Sequence, residues 1–121
     1  MGVKTEGMHR GEFLVSEANG SRSRETVTIA SGQVLEAGAV LGKVTASGEY
    51  TAYAPGATDG SEAAAAVLYD AVDTGEGTKE AVVVARDAEV NATELVWPSG
   101  ATQTHIDNGT ANLAANGIIA R

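Results

Sequence analysis

The sequence predicts a mainly β protein: a small single-domain barrel or sandwich, with an extended N-terminal arm and one short C-terminal helix. Three observations lead there. Short β-prone runs recur between glycine-containing turns, the spacing of small all-β barrels and sandwiches. Helical spacing of apolar residues is confined to the last stretch, where Ile106, Thr110 and Leu113 fall on one face. The first 25 residues are polar and punctuated by Gly2, Gly7, Gly11 and Gly20, which reads as an arm rather than a domain. One domain is the natural count for 121 residues. The boundary is placed at 25, giving an arm over 1–25 and a β-rich domain over 26–121.

The elements follow in order. Within the arm, Phe13-Leu14-Val15 is the one apolar cluster, which either folds back onto its own sheet or docks on another protein; Asn19-Gly20 is turn-like. Thr26 to Ala30 alternates polar with apolar and places Val27 and Ile29 on one strand face. Gln33 to Ala37, Ala39 to Thr45 and Glu49 to Ala54 are further β-prone runs, closed by Pro55-Gly56. Asp59-Gly60-Ser61 turns the chain, and Ala63 to Ala66 is helix-friendly by itself, but 66–72 reads as a strand. Val82-Val83-Val84 is a β-branched run suited to a central strand covered on both faces. Asp73 to Thr78, with two glycines, is the hairpin loop before it. Ala92 to Trp97 reads as another short run ending at Pro98. Ser99, Thr102 or Thr104 caps the helix, Asn116-Gly117 ends it, and Ile118-Ile119-Ala120 pairs as a last strand. No internal repeat of solenoid or propeller length is present.

Composition narrows the partners. Of the 43% hydrophobic residues, 22 are alanine, and the aromatic content is 4%, so the core is thin and self-association or a partner is expected to add stability. The absence of cysteine excludes disulfides and thiolate metal sites. Eight basic against sixteen acidic residues give a net charge of −8, which repels nucleic acid, and no basic stripe offsets it. The excess is local: 59–94 holds nine acids against Lys79 and Arg86, whereas the first 25 residues balance. Apolar runs fall far short of the roughly 20 residues of a membrane helix, and the N-terminus has no apolar signal core, so neither membrane nor export is expected. The sequons at Asn19, Asn91 and Asn108 then carry no meaning.

No catalytic constellation emerges. Gly38 to Val44 has three residues between its glycines where a phosphate loop needs four, and no Ser or Thr follows Lys43. Gly75-Glu76-Gly77 carries a carboxylate where a pyrophosphate would sit. His9 and His105 lack a second imidazole at metal-ligand spacing, so surface or capping roles are assigned to them. The carboxylate pairs Asp70/Asp73 and Asp87/Glu89 read as solvated loops and strand edges. Trp97-Pro98 is the one conspicuous aromatic site, and with Tyr50 and Tyr53 it belongs either to the core or to a subunit interface. No enzyme, cofactor or metal is expected.

The order of segments resembles the lambda-type head decoration proteins of tailed phages. The resemblance is carried by Lys4-Thr5-Glu6-Gly7-Met8-His9-Arg10-Gly11-Glu12-Phe13-Leu14-Val15-Ser16-Glu17-Ala18-Asn19-Gly20, then Ser31-Gly32-Gln33 and Ala37-Gly38-Ala39-Val40-Leu41-Gly42-Lys43-Val44. Further along it is carried by Pro55-Gly56-Ala57, Asp59-Gly60-Ser61-Glu62-Ala63-Ala64, Val82 to Val90, Leu95-Val96-Trp97-Pro98 and Asn116-Gly117-Ile118-Ile119. One departure is Asp107-Asn108-Gly109, which interrupts what the family makes a smoother helix and is expected to shorten it.

The resemblance implies a β-clip or β-tulip-like domain that forms homotrimers. These trimers decorate the outer surface of the expanded capsid at three-fold and quasi-three-fold sites, in a virion assembled from proteins made in the host cytoplasm. They reinforce the shell against packaged DNA, with the phage major capsid protein and the chain itself as partners. The expected mechanism is strand addition: Thr5 to Leu14, extended, reach roughly 33 Å and pair with a coat-protein strand. Lys4, Thr5, Glu6, Met8, His9, Arg10, Glu12, Phe13 and Leu14 form this arm, with Met8, Phe13 and Leu14 filling pockets. Two other classes were weighed. A biotinyl or lipoyl carrier needs a hairpin lysine in a motif that neither Lys43 nor Lys79 has. A carbohydrate-binding module usually exposes more aromatics than this chain contains.

Overall fold

The structure, a computed structural model, describes residues 13–17 and 23–121. Among these, the strands are β1 (Leu14–Glu17), β2 (Arg24–Ile29), β3 (Val34–Leu35), β4 (Val40–Lys43), β5 (Tyr50–Ala52), β6 (Ala64–Leu68), β7 (Val72–Asp73), β8 (Lys79–Val84), β9 (Ala88–Val90) and β10 (Ile118–Ala120). A 3-10 turn at Ala92–Glu94 and the helix α1 (Gln103–Ala115) lie between β9 and β10.

Strands β2, β5, β4, β6 and β8 close into a barrel in that order. β2 and β8 are zipped antiparallel from Arg24↔Val84 to Ile29↔Lys79, whereas β2 meets β5 through the single parallel pair Ile29↔Tyr50. So narrow a barrel holds few side chains, and Ala39 and Ala66 accompany Val27, Ile29, Leu41, Leu68 and Val83 inside it. The remaining apolar residues of the same strands point the other way. Val40, Ala64, Val67 and Val84 join Phe13, Tyr53, Val90, Leu113 and Ile118 in a second core. Because side chains alternate with period two, a strand covered on both faces reads as a continuous apolar run. Val83 and Val84 meet that expectation, one in each core, while Val82 at 37% exposure does not.

The second core lies under a three-stranded sheet, β1-β9-β10. β9 and β10 are parallel and adjacent, so a crossover must join them, and α1 supplies it. Thr102 caps this helix: its Oγ1 accepts the His105 N–H at 3.2 Å, and His105 Nδ1 accepts the Thr102 N–H at 3.1 Å, a capping box with histidine in the usual glutamate place. Gly117, at φ 84°, then turns the chain into β10.

Several expectations are corrected. The helix is not shortened at Asp107-Asn108-Gly109 but runs unbroken for 13 residues. Gly109 is required for packing: a Cβ there would lie 2.5 Å from Trp97 Cζ3 and 3.0 Å from Tyr53 Cε2. The run 66–72 is not one strand, since β6 stops at Leu68 and Val72 pairs with Leu35 in the small β3-β7 sheet. Ala92 to Trp97 is not a strand either. Asn91 Oδ1 accepts the Thr93 N–H and closes a 3-10 turn, leaving only the bridge of Val96 to Ala39. Residues 64–66 are strand rather than helix, with Ala64 and Ala66 each buried in a different core. Finally, the division at 25 cuts through β2, and Phe13–Glu17 is built into the domain. Leu14 pairs with Val90 and Glu17 with Ala88.

Candidate interaction surfaces

Most of the residues placed in the arm, Lys4, Thr5, Glu6, Met8, His9, Arg10 and Glu12, lie outside the described residues. Phe13 and Leu14 are described. Phe13 is fully buried in the chain's own core, and its carbonyl accepts the Asn91 N–H at 2.8 Å. Leu14 is half-buried against the same core. Of the two readings left open for the Phe13 cluster, folding back onto its own sheet is the one observed, and Phe13 fills no pocket elsewhere. Only Val15 of the three is turned out, at 54% exposure, in an irregular stretch of the β1–β9 pairing.

β1 is an edge strand of its sheet. On the outer face Glu89 takes Ser16 Oγ at 3.0 Å and Arg121 Nε at 2.7 Å, so a single carboxylate ties all three strands. These two donors hold its carboxyl below the ordinary 4.5. Arg24 closes the other end of β1 onto Glu17 through Nε at 3.0 Å, and its guanidinium lies 4.2 Å over the Tyr69 ring.

The second surface is built on Trp97-Pro98. Tyr53 is buried, meets Trp97 edge-to-face at 5.8 Å between centroids, and donates its hydroxyl to the His105 carbonyl at 3.0 Å. Burial raises its pKa. Tyr50 is also buried, in the barrel, under Lys43 Nζ at 5.9 Å. Trp97 and Pro98 are only partly covered. Pro98 and Ser99 form a ridge between two shallow grooves. One is walled by Val34, Leu35, Ala52, Val96 and Trp97, with Glu36 its one charged lining residue. The other is walled by Tyr53, Pro55, Ala57, Ala101 and His105, and no acid or strong base lines it. Sequence reasoning singles out Trp97 and Pro98 as a conspicuous pair but misses Val34, at 78% exposure the most exposed large apolar residue described. Its neighbourhood, a two-residue strand between turns, offered no periodicity to mark it.

Among the described residues no group of three His, Asp or Glu is placed to hold a metal. Neither Lys43, at the end of β4, nor Lys79, at the start of β8, occupies a hairpin tip. No described helix is long and apolar enough to cross a membrane. The fold and its two surfaces define a small, mainly β protein built on a closed five-stranded barrel, with an exposed edge strand and a ridge between two grooves. The chain matches the model of the family Bacteriophage lambda head decoration protein D over residues 3–118, and it belongs to that family. No curated protein matches it in sequence. Membership makes it a phage head decoration protein, a component of the virion capsid and a member of a structural rather than an enzyme family.

Proposed function

We propose that the chain is a homotrimeric cement protein. It binds the exterior of the expanded capsid at three-fold and quasi-three-fold sites and stabilises the shell against packaged DNA. The segment before Phe13 adds a strand to the major capsid protein. The observation that carries this reading is the way the N-terminal segment joins the domain. Phe13 is fully buried and β1 is an edge strand, so whatever the preceding residues grip is anchored directly into the second core. Backbone pairing supplies the affinity of strand addition, and three copies linked in one trimer raise the effective concentration of each segment. A C3 trimer closes through heterologous contacts and matches the symmetry of a three-fold site. Nucleic acid and membrane are not partners in this reading: a net charge of −8 opposes the first, and no described helix is long and apolar enough to cross the second.

The test is co-sedimentation with undecorated heads, expanded and unexpanded, using the full chain and a variant lacking residues 1–12. The cut stops at 12 because Leu14–Glu17 is structural. The full chain should saturate expanded heads in multiples of three, and the truncated chain should remain folded yet leave heads bare. Unchanged occupancy by the truncated chain would overturn the role of the segment.

A further inference from the structure

Two observations about the Pro98 ridge stand apart from strand addition by the segment before Phe13. First, apart from Glu36, Ala39 and Val40, the groove walls come from uncharged runs of an acidic chain: Thr26–Leu35, Tyr50–Thr58 and Leu95–Ile106 contain no Asp, Glu, Lys or Arg. By contrast, the groove at the start of β2 is lined by Arg24, Asp70 and Glu80. Charge depletion with aromatic enrichment is the compositional mark of an interface centre. Second, the surface is two-sided, with a protruding Val34 on one flank and an open apolar groove on the other.

We propose that this face joins neighbouring copies of the chain, Val34 of one copy seating in the groove walled by Pro55, Ala57 and Ala101 of the next. The inference rests on the homotrimer reading and deepens it by naming the surface. Identical copies of net charge −8 repel wherever their acidic faces meet, so the faces that can close without like-charge cost are the uncharged ones. A knob and a groove on two flanks of one patch fit a two-fold pairing, in which each copy fills the other's groove, and equally a head-to-tail contact. The homotrimer reading selects the head-to-tail contact, which closes as a ring when the rotation is one third of a turn. Pro98 and Ser99, lining both grooves, then lie beside the axis, and Trp97 loses water on assembly.

The experiment uses the full chain with Val34→Asp, Ala57→Asp and, as a control at an exposed apolar residue outside both grooves, Val82→Asp. Oligomeric state is followed by sedimentation over a range of concentrations, and Trp97 emission over the same range. Val34 and Val82 are exposed, so these substitutions leave the fold intact, which far-ultraviolet dichroism checks. The expected result is a wild-type trimer whose Trp97 emission shifts blue on assembly. Val34→Asp and Ala57→Asp should each need at least about tenfold more protein to assemble, as loss of an interface hot spot does. Val82→Asp should match wild type. A wild-type chain that stays monomeric overturns both this inference and the homotrimer reading. A trimer untouched by Val34→Asp and Ala57→Asp overturns the inference alone. So does a trimer that survives them while losing head binding, because the groove would then belong to the coat protein.

Discussion

Gly109 illustrates how much a single side chain decides in a core this thin. In an exposed helix, replacing glycine by alanine gains about 1 kcal/mol. Here the added methyl would meet Trp97 Cζ3 at 2.5 Å and Tyr53 Cε2 at 3.0 Å, and both are rigid ring atoms that cannot swing aside. Overpacking of this kind costs about 1–3 kcal/mol, so it outweighs the propensity gain. Gly109→Ala is therefore expected to lower stability in urea, by up to about 2 kcal/mol once the propensity gain is subtracted, and to shift Trp97 emission toward that of water-exposed indole. A more stable variant with unchanged emission would mean that the helix backs away freely. At this scale the sequence was legible where chemistry is local: Thr102 was among three candidate caps, and Asn116-Gly117 was read as the terminus. Gly109 was misread as a weakness because its partner, Trp97, is a neighbour in space only. Thr74 was hidden for the same reason. It is fully buried, donates its hydroxyl to the Ala30 carbonyl at 2.6 Å and accepts the Gln33 N–H at 2.8 Å, pinning the loop before β8 to the turn after β2. Phe13 could not be assigned from composition, since an apolar residue within a polar stretch looks alike whether its cover is the same chain or another.

Elements were legible where alternation or β-branching was strong, as in β2 and β8, and illegible where pairing depends on remote segments. β9 is three residues long, and its neighbours β1 and β10 lie far away on either side in sequence. The sheet they form also carries one pH-sensitive tie. Glu89 has its folded pKa depressed by Arg121 and Ser16, so its contribution is fully present above the ordinary 4.5 and is lost as pH falls through the lower folded value. Asp59 behaves alike from its ordinary 3.8, because the Ser61 hydroxyl and N–H both bond its carboxylate. Protection of the amides of residues 14–17 and 118–120, measured relative to their intrinsic exchange rate at each pH, is expected to fall on acidification from pH 6 toward pH 3, and Glu89→Gln should flatten that dependence. Protection in the barrel strands β2 and β8 should respond less. An equal fall in both layers would show that Glu89 does not tie the sheet.

Across the whole molecule, the thin apolar content foreseen from 22 alanines is divided between two small cores rather than gathered into one. Each is marginal by itself, and mutual cover by β4, β6 and β8 is what makes them one cooperative unit. Where copies assemble, association adds to stability by mass action. The melting temperature is expected to rise with protein concentration for wild type, and for Val34→Asp to begin that rise only at about tenfold or more higher concentration, as read by calorimetry at several concentrations. Concentration-independent melting of the wild type would mean that each chain is stable unaided. The placement of β9 between β1 and β10 has a consequence for synthesis. The first described strand and the last flank a common neighbour, and the parallel partner is made only after the crossover helix. While the chain is still being made, the barrel strands can already pair, but the layer that covers them waits for residues 118–120. Until then Val40, Ala64, Val67 and Val84 face outward as an uncovered apolar stripe. Completion of the fold thus waits for β10 and closes a long loop, the slow kind of step in β-rich chains.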